Sequence, residues 1–164
     1  IKDWRKLLSN FSNTQFTLKG KKWVTVEHYY HSRKFDNFPK YAALFSLDSK
    51  SSISKDPSMA KGAGGKTGKI KGKNFRKNMQ KQLKLKEEII MEEGFYDKNG
   101  KGEKAMEEAQ LAKYTQNENA KKVLLLTKNA KLCHYIKQRG IKKSDMNPPI
   151  PFYDTMRIRK NLNN

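Results

Sequence analysis

The chain has 164 residues, 35% of them hydrophobic and 32% charged, and its 36 Lys and Arg against 16 Asp and Glu give a formal net charge of +20. That length fits one domain with a true core, and eight Phe, seven Tyr and two Trp exclude wholesale disorder. A single cysteine, Cys133, excludes an internal disulfide and a multi-thiolate metal site, so a reducing compartment is expected.

Trp4, Leu7, Leu8 and Phe11 are spaced by three and four, which predicts a short helical turn running into a loop over residues 8–12. Residues 16–18 and 22–24 flank Lys19-Gly20-Lys21, the pattern of a hairpin with Gly in its turn. Thr25 then stands as the N-cap of a helix whose first turn holds Glu27. Along that helix Glu27, Tyr30, His31 and Lys34 fall at i, i+3, i+4 and i+7 and share one face. A purely structural stripe would be apolar, whereas this one mixes an acid, a base and a phenol. It is a candidate site, and its structural alternative is a half-exposed helix carrying a Glu27–Lys34 ion pair.

Residues 39–47 read as a short helix and 49–58 as a polar linker with Pro57 as a stop. The run from Ala60 to Gly68 ends in Gly65-Lys66-Thr67 as a phosphate-binding P-loop does. Ala60, however, stands where that pattern needs Gly, and no buried apolar strand precedes it, so a flexible basic loop is expected. From Lys61 to Lys86 there are ten basic residues and no acid, and from Glu87 to Glu108 eight acids against three lysines. Charges so segregated mark solvated or mutually attracted surfaces. The basic surplus of the whole chain is thirty Lys against six Arg, beside thirteen Asn, the bias of an A+T-rich coding sequence. Groove readers prefer the bidentate guanidinium, so non-specific contact with nucleic acid is expected rather than sequence-specific reading.

Leu83, Leu85, Ile89, Ile90 and Met91 suggest a helix ending at Gly94, and residues 97–100 a turn. Residues 105–126 carry the strongest helical signal, broken near Thr115-Gln116-Asn117. Residues 130–136 read as a helix or a strand, 137–151 as a rigid extended linker ending in Asn-Pro-Pro-Ile-Pro, and 152–162 as a closing helix. No apolar run approaches a membrane span and the N-terminus has no signal-peptide core, so a soluble, intracellular and most simply cytoplasmic protein is expected.

Several blocks together carry a resemblance: Leu8-Ser9-Asn10-Phe11, Phe16…Gly20…Trp23-Val24-Thr25-Val26-Glu27-His28-Tyr29-Tyr30, Lys34-Phe35, Ala60-Lys61…Gly64, Met106…Ala112-Lys113-Tyr114, Leu124-Leu125-Leu126-Thr127…Ala130-Lys131-Leu132 and Met156-Arg157-Ile158-Arg159. They resemble the YbiA-like, or NADAR, domain family, with the first block the most specific. The resemblance implies a mainly α fold with a small β-hairpin, an α+β class, as one compact domain over residues 1–164 with a basic loop or insertion around 61–104. It also implies an N-glycosidase that splits a ribose C1–N bond, in riboflavin-synthesis intermediates or in ADP-ribosylated guanine, without a cofactor.

On that resemblance Glu27 and Lys34 are the catalytic candidates. The chemistry is sound, since cleaving the bond develops positive charge on the sugar that a carboxylate stabilises while activating water. A lysine neutral part of the time can instead attack the C1 aldehyde of the opened sugar and form an imine. Asn10 and Phe11 belong to the substrate-contacting block, where the Asn10 amide suits a ribose hydroxyl or base edge, against simple loop capping. Trp23 is placed to stack a base or to fill the core, and His28 and Tyr30 to line the pocket or to sit hydrogen-bonded in the core. Gly64 lets backbone amides approach a phosphate that Lys61 and Lys66 neutralise, against loop flexibility and solvated charge. Three histidines without a matching acid cluster make no metal site.

The chain also departs from the family pattern. Gly65 stands where many members have an arginine, with Lys66 as a substitute, and His134 replaces a glutamate. The Asp…Trp-Gly motif is absent, and Phe95 or Tyr96 stands in for a tryptophan before Met106. These departures bear on substrate identity more than on fold, and they keep a non-catalytic module binding ADP-ribose-like or nucleic-acid ligands as the alternative function.

Overall fold

Phe16–Leu18 (β1) and Lys21–Trp23 (β2) form the expected antiparallel hairpin, with Phe16 opposite Trp23 and Leu18 opposite Lys21. Lys19 and Gly20 both take positive φ, as a tight two-residue turn between twisted strands requires. The strand alternation buries Phe16 and Trp23. Thr25 follows as the N-cap of helix α2, Val26–Ser32, accepting the His28 backbone N–H on its side chain, and a 3₁₀ turn, Arg33–Phe35, extends the helix.

The structure is a computed structural model that describes residues 2–135, 140–142 and 145–164. It is 49% helical with three two-stranded antiparallel sheets among the described residues, which is the mainly α architecture with small β elements that the sequence implies. Helix α1, Trp4–Leu8, precedes the hairpin, and helix α3, Pro39–Ala42, leads into a 3₁₀ turn at Ala43–Phe45. The Phe35 and Tyr41 rings meet edge to face at 5.0 Å, and Phe45 completes the cluster. Ile136, residues 137–139 and residues 143–144 of the expected linker lie outside the described residues.

Three expectations fail for identifiable reasons. Pro57 starts a helix rather than stopping a linker, because its fixed φ and missing N–H suit a first turn. Asp56 caps that turn by accepting the backbone N–H groups of Ser58 and Met59. The resulting helix α4, Pro57–Gly64, buries Ala60, Ala63 and Gly64, so the first half of the glycine-rich stretch is a packed helix and not a flexible loop. A short hairpin follows, Lys69–Ile70 (β3) against Lys73–Asn74 (β4), and then helix α5, Phe75–Gln82. The helix expected over residues 83–94 is absent, since Lys84 sits at φ +53 just after the α5 C-cap. Beyond it residues 88–92 run without regular structure, with Ile89 2% exposed and Ile90 60%.

The strongest helical signal resolves into α6, Lys101–Gln116, and α7, Glu118–Leu126, with extended backbone at Asn117. The hairpin holds that break: Gln116 accepts the Thr17 N–H and donates to the Thr17 carbonyl, each at 2.8 Å, and Asn117 donates to the Gln15 carbonyl. Cys133–His134 (β5) pairs with Ile150–Pro151 (β6), and helix α8, Tyr153–Leu162, closes the chain. Helix α2 contacts α4 and α6, and a second apolar cluster of Tyr114, Ala120, Leu124 and Ile158 joins α6, α7 and α8. Among the described residues no helix is long and apolar enough to cross a membrane.

Lys113 of α6 is 1% exposed, with its ammonium on the Ser9 carbonyl at 2.8 Å. Burial pushes its pKa down to about 7. Between that value and the ordinary lysine range the unfolded chain holds a proton that the folded chain does not, so the group's contribution to stability rises with pH across that window. Urea unfolding of wild type and Lys113→Met from pH 7 to 10 is expected to show the difference moving in favour of wild type by up to about 1.4 kcal/mol per pH unit. A difference that ignores pH would contradict the burial.

Candidate functional site

The polar face of α2 folds into two separate arrangements. Glu27 and His31, one helical turn apart, meet at 2.9 Å between Oε2 and Nε2. Burial lowers the His31 pKa, partly offset by Glu27, so the neutral imidazole donates its Nε2–H to the carboxylate. Lys34 lies one turn further, where the backbone has tightened to 3₁₀, and is 2% exposed. Its ammonium donates to the Gly64 carbonyl at 3.1 Å and to the Tyr96 hydroxyl at 2.7 Å. No Glu27–Lys34 ion pair forms among the described residues; the carboxylate pairs with His31 instead.

Lys34 is caged by aromatic rings, its nitrogen 5.1 Å from the Tyr30 centroid, 5.7 Å from Phe95 and 5.1 Å from Tyr96. Cation–π attraction holds the charged form, while desolvation opposes it. Burial dominates and pushes the Lys34 pKa down to about 8, with Glu27 pulling it up and Arg76 pulling it down. About one molecule in ten therefore carries the neutral amine at pH 7. Burial also pushes the Tyr30 hydroxyl up to about 12, which keeps it a neutral phenol. The two aromatic stand-ins expected from the sequence, Phe95 and Tyr96, are thus both in the cage.

The other wall is the C-terminus of α4, whose last carbonyls have no helical partner and carry the negative end of the helix dipole. Three successive carbonyls accept from cationic or phenolic donors. Gly64 takes Lys34; Ala63 takes Arg76 Nη2 at 2.9 Å and the Tyr41 hydroxyl at 3.0 Å; Gly65 takes Arg76 Nη2 as well. Gly64 also lets α4 approach α2, because a Cβ there would lie 2.3 Å from His31 Nδ1. Sequence reasoning missed Arg76. The available signal was that it is the lone arginine among the ten basic residues of 61–86.

The segment after α5 completes the enclosure. The Glu92 N–H donates to the Lys34 carbonyl at 2.8 Å, and Lys101 at the start of α6 bridges Glu92 at 2.5 Å and Asp36 at 2.6 Å. This pins the chain just before Phe95 and Tyr96.

The remaining expected residues divide. The Asn10 carbonyl accepts the Glu27 backbone N–H at 3.2 Å, placing the Asn10 loop at the mouth of α2. Its side-chain oxygen accepts from Gln110 at 3.3 Å. Phe11 is 37% exposed, with Lys61 Nζ 5.6 Å from its ring. Lys66 is exposed and lines a depression that it shares with Arg76. Trp23 and His28 take the core alternative. The Trp23 indole is 4% exposed and donates to the Leu18 carbonyl, so neither ring face is open to stack a base. His28 is fully buried; its Nε2–H donates to the Ile53 carbonyl at 2.9 Å, which leaves Nδ1 to accept from the Thr25 hydroxyl at 2.8 Å. Among the described residues no group of three or more His, Cys, Asp and Glu side chains is arranged to hold a metal.

The fold is similar to that of the E. coli protein YbiA. The NMR structure of YbiA matches over 99% of this chain and 80% of its own, with a TM-score of 0.61 and 21% sequence identity. At that identity the likeness to YbiA concerns the fold. No family model and no curated protein matches the chain.

Proposed function

We propose that this chain is a hydrolase of the NADAR family, an N-glycosidase that cleaves the ribose C1–N bond of a ribosyl or ADP-ribosyl N-glycoside. Riboflavin-synthesis intermediates and ADP-ribosylated guanine are the substrates to test. One observation carries the reading: Lys34 is desolvated in an aromatic cage next to, but not ion-paired with, a carboxylate already oriented by His31. Lys113 is buried without an ion pair among the described residues as well, so what sets Lys34 apart is the Glu27 carboxylate that acts on it and the three rings around it. The YbiA-like fold supports the same reading, as do the residue blocks that resemble that family.

In this mechanism Glu27 faces the positive charge that develops as the ring oxygen leaves C1 with its electron pair and takes a proton from solvent, so that C1 stays joined to the base nitrogen as an iminium. The neutral Lys34 amine adds to C1, and the base nitrogen, taking the proton that Lys34 loses, departs as an amine. Water, deprotonated by Glu27, then adds to the lysyl imine. Glu27 returns that proton to the lysine nitrogen, which departs as the amine while C1 becomes the aldehyde and its hydroxyl proton goes back to solvent, so the sum is substrate plus one water. His31 is a positioning residue, holding the carboxylate through its Nε2–H.

Because the free amine is the reacting form, kcat/KM is expected to rise with pH through about 8 and then level off. A rate that falls through the same range would assign Lys34 to binding as an ammonium. The direct test incubates the protein with ADP-ribosylated guanine DNA and with the riboflavin intermediates, measures released sugar, and adds borohydride to trap a lysyl adduct by intact mass. Binding without release, with wild type and Glu27→Gln alike, would place the chain in the alternative class of non-catalytic ADP-ribose-like or nucleic-acid binding modules.

A further inference from the structure

Asn10 stands at the start of the helix that carries Glu27, yet its side chain bonds no backbone group among the described residues. Ser9 caps the loop instead, its Oγ accepting the Phe11 N–H at 3.1 Å. The Asn10 amide turns the other way, toward α6 and α8. Thr155 of α8 donates its hydroxyl to Gln110 Oε1 at 2.6 Å, and Gln110 of α6 donates from Nε2 to Asn10 Oδ1 at 3.3 Å. Asn10 Nδ2 then meets the sulfur of Met106, one helical turn before Gln110, at 3.4 Å.

This relay has a direction, because an amide has one accepting and one donating end. With the Thr155 hydroxyl donating, Gln110 turns its nitrogen to Asn10 and meets the Asn10 oxygen. Reversing the bonds would set that oxygen against the Met106 sulfur, two acceptors face to face. The Asn10 nitrogen is therefore the end held only by a thioether, a weak acceptor, and left to bond a stronger one. Gln110 and Thr155 are each 2% exposed. Burying an amide and a hydroxyl costs more than burying apolar side chains of like shape unless their bonds are good, and the Gln110–Asn10 bond is long. Stability alone does not account for the pair.

We propose that Gln110, locked by Thr155, is a positioning residue of the candidate site, fixing the Asn10 amide so that its N–H is presented to an acceptor atom of the glycoside. The ligand rests on the glycosidase reading and on the substrate contact that the resemblance implies for Asn10, whereas the orientation rests on the relay alone. It makes Asn10 a donor, so the atom recognised is a hydroxyl or carbonyl oxygen or an unprotonated ring nitrogen.

Calorimetry on the full chain with ADP-ribose and ribose 5-phosphate, sugar products of the candidate reactions, tests this without requiring turnover. The apolar pair Gln110→Leu/Thr155→Val is expected to hold or raise the midpoint of urea unfolding, since both partners of a buried bond leave together. It is expected to weaken the bound probe about fivefold, because the Asn10 amide is then free to turn and must be ordered on binding. A pair that only stabilises the fold would give the reverse, a lower midpoint with unchanged affinity. Asn10→Ala is expected to lose about tenfold, and adding the apolar pair to it to cost nothing further, because Gln110 acts through Asn10. With a cleavable glycoside the fivefold loss is expected in KM, with kcat within about twofold of wild type. The proposal is overturned if the losses of the apolar pair and Asn10→Ala multiply, if the apolar pair leaves affinity unchanged, or if neither probe binds the wild type. The coupled loss without glycoside cleavage would defeat the glycosidase reading alone; cleavage with a KM blind to the apolar pair would defeat the positioning role alone.

Discussion

Lys34→Met is expected to lower turnover by about a thousandfold or more while leaving the fold in place, because nucleophile loss leaves only positioning and charge stabilisation behind. Methionine is an apt probe here. Its unbranched chain fills the space among Tyr30, Phe95 and Tyr96, sulfur contacts aromatic rings favourably, and removing a desolvated ammonium relieves the burial that depresses its pKa. The opposing cost is the Gly64 carbonyl, which loses its donor, whereas the 65% exposed Tyr96 regains water. These effects largely offset, so the midpoint of urea unfolding should move little. Lys34→Arg separates charge from chemistry. The guanidinium keeps the positive charge but stays protonated and forms no imine, so it should also fail to turn over and should give no borohydride adduct. Retention of turnover within threefold by either variant would remove Lys34 from the catalytic centre.

The sequence disclosed the α2 site more readily than what surrounds it. Thr25, Glu27 and His31 obey local rules of capping and i, i+4 spacing, so they were legible from a dozen residues. The hairpin and the break at Asn117 were legible for the same reason, although the hydrogen bonds that fix the break come from the hairpin, about a hundred residues upstream in sequence. What was not legible depends on long-range partners. Pro57 looks alike before and after a helix, and only its cap and the burial of Ala60 and Ala63 decide that it opens one. The mixed apolar run at 83–91 satisfies helical spacing on paper, but Lys84 takes a positive φ after α5 and the backbone over 88–92 has no regular structure. The ion-pair partner considered for Lys34 was Glu27, whereas its ammonium meets Gly64 and Tyr96, residues 30 and 62 positions away. Arg76 needed the same tertiary information, because its role exists only where α4 ends against α5.

Gly64→Ala is expected to be the most damaging of the small substitutions, in stability and in turnover together. Two effects of opposite sign compete. Within a helix, alanine is favoured over glycine by about 1 kcal/mol. Against that, the new methyl would stand 2.3 Å from His31 Nδ1 and 2.5 Å from its Cβ and Cγ, and His31 is 5% exposed with no open side to retreat into. Overpacking of this kind costs up to about 3 kcal/mol, so a net loss of about 2 kcal/mol is expected by urea unfolding. Relief can come only by separating α2 from α4, and that motion carries the Gly64 carbonyl away from Lys34 and turns His31 from Glu27. Displacement of a reacting group by about 1 Å costs roughly a hundredfold in rate, so turnover should fall by at least that much. Gly65→Ala is the matched control one residue on. Its Cβ would approach nothing nearer than the Lys61 carbonyl at 3.0 Å and its φ of −75 suits any residue, so a change within about 1 kcal/mol and near-native activity are expected. Equal behaviour of the two variants would mean that the close approach of α4 to α2 does not set the geometry of Lys34.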